Sequence, residues 1–364
     1  MNLKELCSYL DSVVPLSFQE SYDNSGLQAG DPENEITCAL LTIDVTEDVV
    51  HEAVRTGCNI IISHHPLIFG GIKKVTPATS AGSILFDCIK NGIAVYSAHT
   101  NLDIAHGGVS RKMAEKLGLK NIKVLQPLEN QLLKLVTFIP VSHLDRVRDA
   151  VFEAGAGFIG NYDSCGFTVQ GLGSFRGNEN ANPFAGEKGK LHYEEEVRFE
   201  TVLFSYMKEK VVKALLSSHP YEEVAYDLYR LENMNVDAGL GCTGELPESI
   251  DEKTFLEKTA DVFGSRGLRY SNFTGKKISK VAVCGGAGSS LLRNAVASGA
   301  DAFITADIKY HTFFDAEGKI LLIDAGHFET EKFASELLKE LIIKKFPKFA
   351  LRFSETRTNP INYL

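Results

Sequence analysis

The sequence lacks the features that mark several classes of protein. Its seven cysteines are an odd number and include no C-x-x-C pair, which argues against a disulfide framework and against a zinc ribbon. It contains no run of about 18 apolar residues, so no segment is expected to cross a membrane. The net charge of −9 disfavours broad binding to nucleic acid, because the phosphate backbone is also negative.

The N-terminal segment also lacks the features of a signal peptide. It places Glu5 and Asp11 in an amphipathic helical pattern, with neither a basic beginning nor an apolar stretch. Unpaired cysteines are typical of proteins in a reducing compartment. Together these features predict a cytoplasmic protein.

The length and composition are those of a globular protein with more than one domain. The chain has 364 residues, of which 44% are hydrophobic and 23% are charged. A single domain usually has about 100–200 residues. Segments 1–128 and 237–364 both alternate short apolar strands with helical patterns, which predicts α/β structure. In the first segment, Thr46 is expected to begin a helix and Gly57 to end it.

The two α/β segments share short patterns in the same order. Ala-Val-x-x-Gly occurs at 53–57 and again at 295–299, and a histidine four residues before an acid occurs at 99–103 and at 327–331. We therefore predict two related halves that form one domain. The alternative is that any two β-α-β units look alike.

The intervening segment, 129–236, has a different pattern. Its predicted order is β-α-β-β-α-β, which is typical of a ferredoxin-like domain, with strands at 132–139, 167–173, 196–203 and 224–231. Ser142 and Ser205 are expected to cap its two helices. A polar loop, 176–186, joins the middle strands. The predicted fold class is thus α/β, interrupted by an inserted ferredoxin-like α+β domain.

Three histidines are predicted to lie at the carboxyl ends of strands, where open α/β sheets bind ligands. His64 and His65 follow the strand 59–63, and both rings can turn into one crevice. His327 follows a buried strand of the second half, four residues before Glu331. On a helix these two positions lie on one face, so the imidazole and the carboxylate can share a metal ion. The alternatives are one packed and one solvated histidine for the first pair, and a surface ion pair for the second.

Asp103 completes the candidate ligands. It occupies in the first half the position that Glu331 occupies in the second, with a turn or helix-capping aspartate as the alternative. Three histidines and two carboxylates exceed what one catalytic ion usually binds, so two divalent ions sharing a carboxylate are predicted. Nitrogen and oxygen donors suit zinc, iron, manganese or cobalt. Two such ions can generate hydroxide and hold the attacking and leaving oxygens of a reaction.

Two further histidines, His99 and His311, are candidate catalytic residues. Each follows a predicted strand and is interpreted as an acid–base group or as a hydrogen-bond partner of the ligands. The alternative is that each histidine has only a structural role. The glycine-rich turn 285–288 is interpreted as a plain tight turn, because it matches neither the Walker A nor the G-x-G-x-x-G spacing.

The sequence around these residues resembles a known family, the GTP cyclohydrolase 1 type 2 homologues, also called NGG-interacting-factor-3-like or dinuclear metal centre proteins. The matching stretches lie in both α/β halves and include Asp23-Asn-Ser-Gly-Leu-Gln28, Ser63-His-His-Pro-Leu-Ile-Phe69, Ser97-Ala-His-Thr-Asn-Leu-Asp103, Ala105-His-Gly-Gly108, Thr305-Ala-Asp-Ile-Lys-Tyr-His311 and Asp324-Ala-Gly-His-Phe-Glu-Thr-Glu331.

The resemblance implies more than the residues alone predict. It implies a ring-like homohexamer with the metal sites facing an internal cavity, and an insert similar to the nitrogen-regulatory PII and CutA proteins. It also implies that the metal ligands are His64, His65, Asp103, His327 and Glu331. Two residues depart from the family pattern: Tyr22 stands where a tryptophan is usual, and Ala306 where a glycine is usual.

Three functions are compatible with these expectations. The first is a dinuclear metal-dependent hydrolase of a small molecule, in which metal-bound hydroxide attacks C8 of the guanine ring of GTP, formate is lost, and His99 or His311 carries protons. The alternative is a metal- or small-ligand-binding regulatory protein that uses the PII-like insert without turnover. In the third, the histidines only stabilise the fold.

Overall fold

The computed structural model describes residues 1–364, which divide into two compact units. The larger unit joins residues 1–127 to residues 236–364, and the smaller unit is residues 128–235. The fold is mixed α/β, with three sheets. No helix is both long enough and apolar enough to cross a membrane.

Helices and strands alternate in the first half of the larger unit. They are α1 (Leu3–Val13), β1 (Gly26–Ala29), β2 (Cys38–Thr42), α2 (Glu47–Thr56), β3 (Ile60–Ser63), α3 (Ser80–Lys90), β4 (Ala94–Ser97), α4 (Thr100–Ile104), α5 (Val109–Lys116) and β5 (Lys120–Leu128). Helix α2 has the predicted ends. The Thr46 side chain accepts a hydrogen bond from the Val49 N–H, and Gly57 adopts a φ of 71°, which favours glycine.

The smaller unit contains four strands and two helices. They are β6 (Leu132–Pro140), α6 (Leu144–Glu153), β7 (Gly166–Phe175), β8 (His192–Phe204), α7 (Lys208–Ser218) and β9 (Tyr226–Arg230). The strands form one antiparallel sheet in the order β7-β8-β6-β9.

Both helices of the smaller unit begin differently from the prediction. A short 3₁₀ turn precedes each helix, and neither Ser142 nor Ser205 caps one. The Ser142 hydroxyl hydrogen-bonds to the ring of His143, and the Ser205 hydroxyl donates to Gln131. Each hydroxyl therefore binds a side chain instead of a helix N–H group.

The second half of the larger unit again alternates strands and helices. They are β10 (Asn235–Ile250), α8 (Glu252–Phe263), β11 (Arg269–Tyr270), β12 (Ile278–Val283), α9 (Leu292–Ala297), β13 (Ala302–Thr305), α10 (Thr312–Asp315), β14 (Leu321–Asp324), α11 (His327–Glu331), α12 (Ala334–Lys345) and β15 (Ala350–Phe353).

Each half contributes three neighbouring parallel strands to its own sheet. These are β2, β3 and β4 in the first half, and β12, β13 and β14 in the second. Both sheets also have an antiparallel edge strand, β1 beside β4 and β11 beside β14. Residues Ile60–Ile62 are fully buried, as in a parallel strand covered on both faces.

Each half also receives a strand from the other. Strand β15 lies parallel to β2 in the first sheet, and β5 lies beside β10 in the second. The strands β1, β5, β10, β11 and β15 were not predicted from the sequence. The parallel strands end in register, because Ser63 pairs with Ser97 and Thr305 pairs with Asp324. The segments that follow them therefore leave each sheet at a common edge.

Candidate metal centre

The candidate ligands lie at the carboxyl ends of parallel strands from both halves of the larger unit. His64 and His65 follow β3 directly, and Asp103 lies on α4, which begins three residues after β4. His327 and Glu331 are the first and last residues of α11, just beyond β14. All five residues therefore converge on one place, and the first half and the second half both supply donors.

Glu331 lies at the centre of the group. Its Oε2 atom is 2.9 Å from His65 Nε2 and 2.9 Å from His327 Nε2. Its Oε1 atom is 3.8 Å from His64 Nε2. The Glu331 residue is only 3% exposed, so the carboxylate is shielded from water and faces three imidazole rings.

His64 and Asp103 contain polar atoms that are buried without a partner. His64 Nε2 is 3.7 Å from Asp103 Oδ1, too far for a hydrogen bond, and neither atom has any hydrogen-bond partner. An unpaired buried nitrogen and carboxylate oxygen cost free energy. A cation between them would satisfy both atoms, so the residues present fit a bound metal ion.

The site contains three groups of donor atoms, and within each group all the atoms lie within 4.8 Å of one another. Two of the groups share Glu331: one contains His65 and His327, and the other contains His64 and Asp103. The third group consists of His64, His65 and His99. The donors are nitrogen and oxygen atoms, which suit first-row divalent metals.

In each candidate histidine ligand, Nδ1, the ring nitrogen other than the proposed ligand atom Nε2, forms a hydrogen bond. His64 Nδ1 is 2.8 Å from the carbonyl oxygen of Ala98, and His65 Nδ1 is 2.7 Å from Asp44 Oδ1. Carbonyl and carboxylate oxygens accept hydrogen bonds, so each Nδ1 is the donor. Nε2 therefore keeps its lone pair when the ring is neutral. The hydrogen bonds therefore orient Nε2 as the ligand atom.

His327 is held in the same way, with its Nδ1 atom 2.7 Å from Asp307 Oδ2. Neither Asp44 nor Asp307 was among the predicted site residues. Each comes two residues after a strand, β2 or β13, and this position was the signal available in the sequence. Asp307 also has a φ of 53°, an unusual conformation for a residue other than glycine.

The carboxylates shift the pKa values of the rings they contact. Burial favours neutral His65, but hydrogen bonds to Asp44 and Glu331 raise its pKa to about 10. Burial likewise opposes protonation of His327, while Glu331 and Asp307 raise its pKa to about 9. Strong negative charge therefore surrounds these rings and would attract a cation.

The two ligand carboxyl groups differ. Burial disfavours the charged form of Glu331, but the close contacts with His327 and His65 and the nearby His64 ring outweigh it and hold the Glu331 pKa well below its usual range. Burial raises the pKa of Asp103 to about 6; His64 opposes this shift. Glu331 is thus the more strongly held negative charge.

The two candidate catalytic histidines lie in different surroundings. The ring of His99 is 5.3 Å from those of His64 and His65, and its Nδ1 atom is 2.8 Å from Asp23 Oδ1. His311 instead lies exposed at the start of α10, with its ring 5.2 Å from that of Tyr310, and it belongs to none of the donor groups.

Asp23 is also held from two sides. Its Oδ2 atom accepts hydrogen bonds from the N–H and hydroxyl groups of Thr100. Burial opposes ionisation, but the hydrogen bonds from His99 and Thr100 outweigh it and lower the pKa of Asp23. A carboxylate that stays ionised accepts the Nδ1 proton of His99 and fixes the orientation of the ring.

The site opens into a cavity of about 830 Å³. His65, His99, Asp103, His327 and Glu331 line one part of it. The remaining wall is mainly apolar and includes Leu67, Phe69, Ile84, Leu240 and Leu291. Pockets of this size and composition bind small molecules.

The turn 285–288 contributes backbone to this cavity. Its N–H groups at Gly285, Gly286 and Gly288 donate to the hydroxyl groups of Ser110, Thr330 and Thr305. These amides are therefore occupied by the protein. Gly286 has a φ of 58°, and a Cβ atom there would lie 2.1 Å from Glu331 Oε1, so the turn and the carboxylate are closely packed.

The whole chain is similar to proteins of one family. Residues 1–360 match Duf34/NIF3 (NGG1p interacting factor 3). The chain is 40% identical over 357 residues to a GTP cyclohydrolase 1 type 2 homolog of Halalkalibacterium halodurans, an alignment covering 96% of this chain and 95% of the relative. A Bacillus subtilis protein with the same description is 37% identical over 374 residues, covering 100% of this chain and 99% of that protein.

Solved structures show the same similarity. A Bacillus cereus protein related to NIF3 is 38% identical, with a TM-score of 0.87, and the match covers 100% of this chain and 99% of that chain. HcgD from Methanocaldococcus jannaschii, at 20% identity and a TM-score of 0.57 over 98% of both chains, shares the fold. The family resemblance predicted from the sequence motifs is confirmed, and the chain belongs to the Duf34/NIF3 family.

Proposed function

We propose that the protein is a metal-dependent hydrolase whose centre holds two divalent cations. The observation that carries the proposal is the position of Glu331, a buried carboxylate shared by two separate groups of donors. One group would hold the first ion through His65, His327 and Glu331. The other would hold the second ion through His64, Asp103 and Glu331, with Glu331 common to both.

The bound ions would activate water and offset negative charge on a substrate. The protein's own contribution is to orient the reacting groups and to move protons. His99, with Nδ1 donating to Asp23, leaves Nε2 free to accept a proton from a reacting group in the cavity. Phe69, whose ring is 5.5 Å from that of His99, supplies an apolar surface beside it.

We propose GTP as the substrate, because the curated relatives are named GTP cyclohydrolase 1 type 2 homologs. Hydrolysis would open the imidazole ring of guanine at C8 and release that carbon as formate, with water supplying the added oxygen and hydrogen atoms. The cavity of about 830 Å³ is large enough for a small molecule such as a nucleotide. His99 is the proposed proton carrier, and the catalytic role of His311 stays a prediction.

The metal content of three proteins tests the centre. We expect two ions per chain in the wild type, one in Asp103→Asn, and less than one in Glu331→Gln, measured by elemental analysis after dialysis. Both substitutions preserve side-chain shape, and circular dichroism checks that each variant folds. Equal metal content in all three proteins would contradict the shared role of Glu331.

Turnover is tested separately. Metal-loaded protein is incubated with GTP, and formate is assayed beside a chelator-treated sample. The expected result is formate release that chelation abolishes. If the metal-loaded protein releases no formate, the GTP reaction is refuted. The metal centre itself is tested separately by the metal content.

The alternative function is a regulatory protein that binds metal or a small ligand without turnover. It is favoured by the smaller unit, whose β-α-β-β-α-β order and antiparallel sheet support the proposal of a ferredoxin-like insert. The similarity of this insert to PII and CutA is what the family resemblance implies. We also propose a cytoplasmic homohexamer, as the family resemblance implies. Light scattering gives the assembly state. Deletion of residues 129–236 tests the regulatory role: metal content, and any hydrolysis, should persist while the response to a small ligand disappears.

A further inference from the structure

The smaller unit has a cavity of its own, of about 510 Å³, which shares no lining residue with the metal centre. The end of β7, Glu196 on β8 and Phe138 on β6 form part of its wall. The polar loop that follows β7 and the segment that follows α7 form the rest. The proposed hydrolysis uses none of these residues.

Four aromatic side chains line this second cavity, Phe138, Phe175, Phe184 and Tyr221, and the last three have rings close to one another. The centroids of Phe175 and Phe184 each lie 6.0 Å from that of Tyr221. The rings are inclined to Tyr221 by 59° and 46°, so they form walls at an angle and not a flat stack. Angled aromatic rings of this kind attract a cation through their negative faces.

A buried carboxylate lies beside the rings. Glu196 is 8% exposed, and its Oε1 atom accepts a hydrogen bond of 2.8 Å from the Tyr221 hydroxyl. No lysine, arginine or histidine nitrogen forms an ion pair with it. A Cβ atom at position 173 would lie 2.1 Å from Glu196 Oε2, so the carboxylate packs closely against the backbone of β7. A buried carboxylate without a cation is costly, and a bound cation would relieve that cost.

The other charged groups around the cavity do not neutralise Glu196. Glu222 and Glu223 add two carboxylates, and Arg176 adds one exposed guanidinium group. Glu222 also accepts a hydrogen bond of 2.8 Å from the Asn182 N–H and so ties the polar loop to the cavity. The lining is therefore negative overall, which disfavours a phosphate or carboxylate ligand.

We propose that this cavity binds a small organic cation with a quaternary ammonium group. Such a group needs no hydrogen-bond acceptor, which suits a carboxylate already engaged by Tyr221 and a wall made of aromatic rings. The carboxylates do not form one of the close donor groups that can hold a metal ion, so an organic cation fits better than a divalent one.

Choline is the probe, and 3,3-dimethyl-1-butanol is the control because it has the same shape without the charge. Isothermal titration of the full-length protein should give saturable choline binding, at least about tenfold tighter than binding of the neutral alcohol. Equal binding of the two compounds, or no saturable choline binding at millimolar concentrations, would overturn the proposal.

Three variants locate the binding. Glu196→Gln keeps an acceptor for Tyr221 but removes the charge, and it should weaken choline binding about tenfold or more. Phe184→Ala, in the exposed loop, should also weaken it, whereas Arg176→Ala should leave it unchanged or tighter. Circular dichroism checks the fold of each variant. Unaltered choline binding by folded Glu196→Gln would overturn the assignment of the site.

Discussion

Replacing Gly286 by alanine tests the position of Glu331 directly. The added Cβ atom would lie 2.1 Å from Glu331 Oε1, whereas an ordinary contact is 3.4 Å or more, so the two atoms must separate by about 1 Å. Gly286 cannot easily retreat, because its N–H donates to Thr330 and its carbonyl oxygen accepts from the Ala306 N–H. We therefore expect the carboxylate to move.

The backbone contributes a second, separable cost. Gly286 has a φ of 58°, and placing alanine in this left-handed conformation costs roughly 1–2 kcal/mol. Gly299 offers a matched control: its φ is 75°, and a Cβ atom there would meet nothing within 4 Å. Both substitutions should lower the free energy of unfolding through the backbone, but only Gly286→Ala should disturb Glu331.

The assay is metal affinity measured by competition with a chelator, together with thermal unfolding. Displacing a shared ligand by about 1 Å should weaken metal binding by at least 10- to 100-fold, the loss seen when groups that support metal ligands are removed. Gly299→Ala should bind metal as the wild type does. If Gly286→Ala and Gly299→Ala bind metal equally well, Glu331 is not the shared ligand.

Three further predictions concern groups around the centre and in the core. Asp23→Asn should lower turnover about 100-fold or more, because His99 loses the acceptor that fixes its proton, while metal content stays unchanged; wild-type turnover would exclude His99 as the proton carrier. Burial opposes ionisation of Glu52, but hydrogen bonds from the segment after β15 outweigh it and lower the pKa of this carboxyl in the folded protein. Ionised Glu52 therefore stabilises the fold at pH values above its unfolded pKa of about 4.3, and this stabilisation is lost as the pH falls through the pKa of the folded state. Urea unfolding should show Glu52→Gln less stable by about 2 kcal/mol at neutral pH, with a smaller difference in acid; a difference independent of pH would contradict this. Hydrogen peroxide should join Cys38 and Cys58, whose sulfur atoms lie 2.6 Å apart, so that two of the seven free thiols disappear. The Cys58→Ser variant should keep the Cys38 thiol under the same treatment, and retention of all seven thiols by the wild type would refute the contact.

Local signals explain which elements could be predicted from the sequence. Helix α2 has an N-terminal threonine that binds its N–H group and a glycine in the left-handed conformation, and both are visible in the sequence. Strand β15 has no such signal. Its residues are mostly exposed, and it becomes a strand because Ala350 pairs with Cys38, more than three hundred residues away. Such pairing cannot be found from a local pattern.

The candidate site shows the same distinction. His64, His65 and His327 could be predicted because each follows a buried apolar strand, and parallel strands bring their carboxyl ends together. Asp44 follows a strand as well, but a lone aspartate after a strand is usually a turn residue, so its bond to His65 was not foreseen. His311 lies three positions beyond Ile308 on an exposed turn, and nothing local distinguishes it from a histidine that faces the site.

The hydrogen bonds and ligand contacts divide differently between the two halves of the larger unit. The groups that hold each imidazole come from the same half as the ring: Ala98 and Asp44 for the first half, and Asp307 for the second. Glu331, in contrast, contacts rings from both halves. Each half can therefore orient its own histidines, but neither half alone completes either donor group that contains Glu331. It follows that loss of metal should accompany any substitution that separates the halves, even one distant from the ligands.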